Sequence, residues 1–377
     1  MSGLYFHIPF CLAKCHYCDF FSRPVQPGQV DDYLRQLLQA MEQTRFWEDC
    51  GPFATVFFGG GTPSLLPPAA VETLLQKARE LFGISTGAEI SLEANPGTVT
   101  QESLDGFRRA GINRLSFGVQ SLSSAALQRL GRPHTPDQAR LCVRQARSAG
   151  FDNVAVDLMF GLPGQSLNDL QGDLQALLDL NTQHISCYGL TVEEGTPLFD
   201  QRQSGVLPDL PNDDLAAEMY LAVHDTLQLA GFEHYEISNY ARPGFTCRHN
   251  IGYWRRKPCL GVGAGAHSFV DRGWGERWAV APDLQQFTSR LVSGEEPAEC
   301  LERFDRKGAM AETLYLGLRT ADGVNDLEFR DRFGCGVAEA FPEAVQCWGE
   351  RLSFSHGVWR TDVHGWLLFD HLISAFL

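Results

Sequence analysis

Three cysteines near the N-terminus, Cys11, Cys15 and Cys18, follow the spacing C-x3-C-x2-C. A mostly apolar stretch at residues 4–10, broken by Pro9, leads directly into them. Three thiolates on so short a loop can hold three irons of a cubane cluster. The fourth iron is then left without a protein ligand, whereas the closed arrangement uses four cysteines. An iron with an open position is a place where a small molecule binds and reacts. Plainer uses of the same cysteines compete with this one. A structural zinc needs a fourth ligand, and His7 and His16 are poor local choices. A redox pair needs only the C-x2-C half. Cysteine also serves as a small buried apolar side chain.

Further along, Gly59-Gly60-Gly61-Thr62-Pro63 closes an apolar run. Glycines there let a ligand approach the backbone closely, although a flexible turn reads the same way. Glu93, Gln120, Arg132 and Asp157 offer acceptors for ribose hydroxyls or an amino group, and a cation for a carboxylate. Taken singly, each is equally a solvated loop end or a helix cap.

These residues are spaced by alternating elements. Strands are predicted at 3–8, 54–58, 89–93, 114–118, 153–158 and 184–190. Helices are predicted at 29–46, 67–82, 100–110, 122–130, 136–149 and 166–180. The first helix carries Val30, Tyr33, Leu34, Leu37, Leu38 and Met41 on one stripe. Strand and helix in alternation imply a parallel sheet with helices outside, because parallel strands need crossovers. The polar and glycine motifs fall at the C-terminal strand ends, the edge where βα barrels carry their chemistry. Six units in place of eight predict α/β architecture with a partial, open (β/α)6 barrel of the TIM type over residues 1–205. Residues 206–304 form a second segment: a helix at 212–230, then an irregular aromatic stretch. Residues 305–377 form a small, mainly helical α+β region, winged-helix-like, with two short strands near Trp359 and Leu367.

The chain has 377 residues, 44% hydrophobic and 20% charged, which suits a globular protein of two or three domains. The net charge of −15 argues against a broad nucleic-acid surface and against direct contact with an anionic membrane. No apolar run approaches the roughly 20 residues of a membrane span. The N-terminus lacks the pattern of a signal peptide, and a cytoplasmic location is expected. Eleven cysteines, an odd number without framework spacing, predict no disulfides. Cys50, Cys142, Cys187, Cys247, Cys259, Cys300, Cys335 and Cys347 are expected as reduced, mostly buried thiols.

The cysteine loop, with Tyr17 just before its third cysteine, resembles the radical S-adenosylmethionine superfamily. There, three cysteines hold a [4Fe–4S] cluster, S-adenosylmethionine binds the fourth iron, and an electron from the cluster cleaves the sulfonium. Tyr5-x-His7-Ile8-Pro9-Phe10-Cys11, Gly59-Gly60-Gly61-Thr62-Pro63, Glu93, Gly118-Val119-Gln120-Ser121, Arg132 and Asp157-Leu158-x-x-Gly161-Leu162-Pro163 look like the oxygen-independent coproporphyrinogen III oxidase group. The resemblance implies that Cys11, Cys15 and Cys18 hold the cluster. It also implies that Tyr5, Tyr17, Gly60, Gly61, Thr62, Glu93, Gln120, Arg132 and Asp157 surround S-adenosylmethionine, with Thr191 and His267 at further wall positions.

Two departures point to a branch of that group. The oxidases carry another cysteine two residues past the third, where this chain has Phe20, and an extension before the first strand, which here begins at residue 3. Both differences are similar to the haem-chaperone (HemW) branch, as is His249-Asn250-Ile251-Gly252-Tyr253-Trp254. The branch implies haem as cargo; by residue type His249 is a candidate axial ligand, and Tyr253 and Trp254 are candidates to pack on the macrocycle. His267, Cys247 and Cys259 are neighbouring candidates, and a hydrogen-bonded corner of the core is the plain alternative. The expected partners are haem, acceptor haem proteins such as respiratory enzymes, and a second copy in a homodimer. Membrane association is expected only through a partner. Coproporphyrinogen oxidation is the competing activity.

Overall fold

The computed structural model describes residues 2–44, 47 and 52–376. Alternation of inward and outward side chains builds its central sheet. In β1 (Ser2–Ile8), Leu4, Phe6 and Ile8 are fully buried under the outer helices, while Tyr5 and His7 point to the barrel interior. The same parity continues through β4 (Phe53–Gly60), β5 (Ile84–Ala94), β6 (Arg114–Gln120), β7 (Asn153–Phe160) and β8 (His184–Gly189). Val56, Phe58, Leu92, Leu115, Phe117, Val154, Val156 and Ile185 face outward and are completely buried. Glu93, Ser116, Gly118, Asp157 and Tyr188 face inward.

The crossovers are α1 (Gln29–Gln43), α2 (Pro68–Leu81), α3 (Gln101–Ala110), α4 (Ser124–Arg129), α5 (Pro136–Ser148) and α6 (Leu167–Leu178). Thr100, Thr135 and Ser166 begin α3, α5 and α6 with capping boxes, which satisfy the free N–H groups of the first turn. In α1 the predicted stripe is the packed face, with Tyr33, Leu37 and Met41 buried. Two hydrogen bonds of the buried Tyr33 hydroxyl, donating to His7 O and accepting from Ala264 N (3.0 Å each), tie this helix to the barrel rim.

All six predicted strands exist and pair in parallel in chain order. Two features differ from the expectation. The strand predicted at 89–93 begins at Ile84. A seventh parallel strand, β11 (Cys259–Val262), lies on the other side of β1, so the stretch read as irregular completes the sheet. Two short strands in the cysteine loop, β2 (Phe10–Cys11) and β3 (Arg23–Pro24), pair with each other outside the sheet. Antiparallel strands extend both edges: β9 (Glu233–Glu236) and β10 (Asn239–Ala241) beyond β8, and β12 (His267–Val270), β13 (Glu276–Val280) and β14 (Ala298–Arg303) beyond β11. The twelve strands follow the order β14-β13-β12-β11-β1-β4-β5-β6-β7-β8-β10-β9, a barrel left open.

Among the described residues four further helices complete this region: α7 (Pro197–Gln203), α8 (Asp213–Leu229), α9 (Arg248–Trp254) and α10 (Leu284–Ser293). The C-terminal region places a three-stranded antiparallel sheet, Val324–Asn325, Leu352–Ser355 and Val358–Thr361, among short helices. Trp359 lies in a strand as expected; Leu367 ends a helix, Val363–Leu367. Among the described residues no helix is long and apolar enough to cross a membrane. Cys142, Cys187, Cys247 and Cys259 are buried free thiols, Cys300 and Cys335 are half-buried and Cys347 is exposed. Cys50 lies outside the described residues.

Candidate functional site

The cysteine loop begins where Pro9 breaks β1 and the chain turns out of the sheet. Val25 N donates to Cys11 O and Arg23 N to Pro9 O (2.9 Å each), closing the loop at its base. The loop is then clipped to the barrel rim. His16 N donates to Leu130 O (2.9 Å), the His16 ring bonds Arg129 O (2.9 Å), and Leu198 N at the start of α7 donates to His16 O (2.8 Å). These bonds hold Cys11, Cys15 and Cys18 against one cavity of about 430 Å³ at the C-terminal ends of the strands.

Two of the three sulfurs already accept hydrogen bonds. Thr62 Oγ1 donates to Cys11 Sγ (3.5 Å), and Arg132 Nη1 donates to Cys15 Sγ (3.3 Å). Asn95 joins the two donors: its Nδ2 donates to Thr62 Oγ1 (2.8 Å) and its Oδ1 accepts from Arg132 Nη2 (2.5 Å). The same Nη2 also reaches Gly118 O. Donors of this kind stabilise negative charge on sulfur. The glycine run makes room for the loop. A Cβ on Gly61 would lie 2.7 Å from Phe10 O and 3.0 Å from Cys11 Sγ, and Gly60 has φ +111° with the His7 ring 2.9 Å from its Cβ position.

The opposite wall is acidic. Burial, then the neighbouring charge of Asp157, pushes the Glu93 carboxyl up to about 8, against the pull of the Gly60 N–H and of Arg114. Burial also raises Asp157, where hydrogen bonds from Ser186 and Ser116 and the charge of Arg114 oppose it. Gln120 sits at a register break in β6, with φ +67°. Its Oε1 and the Nε of Arg132 are buried with no hydrogen-bond partner. Both residues line the cavity, and unpartnered polar atoms in its wall suit a polar ligand.

The cavity therefore brings together Cys11, Cys15, Tyr17, Cys18, Gly60, Gly61, Thr62, Glu93, Gln120, Arg132 and Asp157, and Thr191 as well. Phe20, 65% exposed, stands at its mouth. Asn95, Ser116 and Tyr188 also line it and were not singled out from the sequence. Ser116 and Tyr188 share the inward parity of their strands, and Asn95 directly follows β5, so strand alternation was the signal available.

Other predicted residues fall elsewhere, His267 among them, on the wall of a neighbouring cavity. Tyr5 lines a neighbouring cavity, its hydroxyl 3.2 Å from His7 Nδ1. His249 is buried below Tyr5 with both ring nitrogens engaged, by Thr55 Oγ1 (2.8 Å) and Tyr253 OH (2.9 Å). Its backbone N–H and that of Arg248 donate to the Glu89 carboxylate (3.1 Å each). Both His249 nitrogens are thus engaged in hydrogen bonds within the chain, the arrangement of a hydrogen-bonded corner. Trp254 packs under the Arg319 guanidinium, 4.7 Å from the ring centre. Tyr253 bonds His249 and lines the neighbouring cavity with Tyr5.

Among the described residues no three His, Cys, Asp or Glu side chains converge on one ion. The three thiols share the wall of a larger cavity, as a multi-iron cluster needs, and the unpartnered polar atoms beside them suit a second, polar ligand. An open parallel barrel with such a loop at the C-terminal strand ends defines the radical S-adenosylmethionine class.

Comparison with known proteins agrees. The model of the radical SAM superfamily matches residues 5–177, and that of the HemN C-terminal domain matches 304–368. The chain is 44% identical to heme chaperone HemW of Escherichia coli (strain K12) over 71% of its own length and 70% of that protein. It is 34% identical to heme chaperone HemW of Bacillus subtilis (strain 168), covering 100% of this chain and 99% of that one. Its fold matches a solved structure of coproporphyrinogen III oxidase (HemN) from Escherichia coli, described as a radical SAM enzyme. The TM-score is 0.86 and the identity 21%, over 100% of this chain and 89% of that one. The chain belongs to the HemW family, within the HemN-like group of the radical SAM superfamily.

Proposed function

We propose that this protein takes up haem and passes it to an acceptor haem protein, while its loop carries a [4Fe–4S] cluster with S-adenosylmethionine at the open iron. The observation that supports this best is the likeness to HemW proteins along the whole chain, C-terminal region included. The likeness to the oxidase structure, at 21% identity, concerns the fold. At the site, Phe20 stands where the oxidases have a further cysteine.

Cys11, Cys15 and Cys18 hold the cluster, with Thr62 and Arg132 donating to two of the sulfurs. Gly60, Gly61 and Thr62 lie along the methionyl part of S-adenosylmethionine. Glu93, Gln120, Arg132 and Asp157 take its amino, carboxylate and ribose groups, and Tyr17 closes the wall beside the third cysteine. When bound, cluster and S-adenosylmethionine together supply one-electron chemistry at the sulfonium. The protein works in the cytoplasm, as a monomer or a homodimer, and meets a membrane only through the acceptor.

The test is anaerobic incubation with coproporphyrinogen III, S-adenosylmethionine and a reductant, beside a haem titration of the same preparation. The expected outcome is no decarboxylated product and a shifted Soret band. Turnover of coproporphyrinogen sinks the proposal in favour of an oxidase.

A further inference from the structure

A second cavity, of about 780 Å³, adjoins the first and shares with it the loop residues Asp19, Phe20 and Ser22. Its volume lies within the usual range of small-molecule sites. Three half-buried aromatic side chains form its walls, Tyr5, Phe21 and Tyr253. Two histidines belong to it, and their bonding differs. His7 is committed, through Nδ1 to Tyr5 OH (3.2 Å) and through Nε2 to Phe21 O (2.9 Å). The ring of His267, at the start of β12, makes no hydrogen bond among the described residues. His249, beneath the floor, is committed on both nitrogens, as described above.

We infer that haem is carried in this second cavity and that His267 is the axial ligand to its iron. The inference rests on the haem-carrier reading proposed above and assigns that reading a place and a ligand. An imidazole ligates iron through a nitrogen lone pair, and of these three imidazoles His267 alone has both ring nitrogens without a hydrogen bond among the described residues. Desolvation, then the charge of Arg277, lowers the His267 pKa from the ordinary histidine value. Tyr5, Phe21 and Tyr253 supply faces for a flat aromatic macrocycle. Lys14, on the cluster loop and exposed at the rim, forms no ion pair among the described residues and suits a propionate carboxylate. Phe20 divides the two cavities, so the HemW-type residue at that position touches both cofactor and cargo space.

Anaerobically prepared wild type, His267→Ala, His267→Tyr and His249→Gln are titrated with haem, with iron and sulfide content measured on each to show that the loop is intact. Wild type should bind with a shifted Soret band. In His267→Ala the shift disappears and affinity falls by roughly tenfold or more. His267→Tyr recovers binding with the high-spin spectrum of a phenolate ligand, and His249→Gln keeps the wild-type spectrum. A wild-type spectrum in His267→Ala, or its loss in His249→Gln with folding retained, overturns the assignment while leaving the carrier reading intact. Absence of binding by wild type overturns both.

Discussion

Arg132 is the residue through which the two halves of the cluster site communicate. It donates to Cys15 Sγ and, through Asn95, connects to Thr62 and so to Cys11. Replacing it by Ala removes a charged donor from a thiolate, and outer partners of this kind affect metal affinity by about 10–100-fold. Arg132→Ala should therefore retain less iron and sulfide after reconstitution and dialysis than wild type; equal retention would show that the bond to Cys15 contributes nothing. Glu93 makes a separate prediction. Its pKa of about 8 in the folded chain exceeds its ordinary 4.5. Between those values the folded chain keeps a proton that the unfolded chain has released, so this group's stability contribution is lost as pH rises. Metal-free Glu93→Gln, which cannot ionise, should melt higher than wild type above pH 8, with the gap closing toward pH 4.5. A gap that is constant with pH contradicts the assignment.

At the scale of elements, the turn after β4 and the tie between α1 and the barrel rim position everything else. Gly61→Ala places a methyl group within 2.7 Å of Phe10 O and 3.0 Å of Cys11 Sγ. Overpacking of this sort costs about 1–3 kcal/mol. The variant should melt lower and lose bound iron together, whereas a fall in stability with full iron content would separate the turn from the loop. Tyr33→Phe deletes the hydroxyl shared by His7 O and Ala264 N. Leaving those buried groups unpaired costs about 1–3 kcal/mol, measurable by denaturant unfolding. The strands that carry Gly60, Glu93, Gln120 and Asp157 in their C-terminal halves were legible because each joins an apolar run to a polar residue or glycine. β11 was not, because Gly261 and Gly263 interrupt an apolar run of only a few residues, which reads as a loop until β1 offers it a partner.

For the whole molecule, the cavity that gathers the three cysteines was legible, and the site proposed for the cargo was legible only in part. Short spacings along the chain and strand ends in register fix the first, and both are visible in one dimension. The second depends on which histidine keeps a free nitrogen. His249, with its motif of aromatic neighbours, draws attention in the sequence, yet Thr55 and Tyr253 occupy both its nitrogens. Thr55 lies 194 residues away, beyond what a local pattern can report. His267, named from the sequence only as a wall position and a neighbouring candidate, has no ring hydrogen bond among the described residues. The central claim is that this open barrel carries haem and gives it up. Its most direct test loads cluster-containing protein with haem, adds an apo haem protein as acceptor, and follows the visible spectrum and the acceptor's activity. The account predicts that haem moves to the acceptor, with S-adenosylmethionine present and no coproporphyrinogen consumed in parallel assays. Haem that stays bound or never binds, together with decarboxylation of coproporphyrinogen, would contradict it.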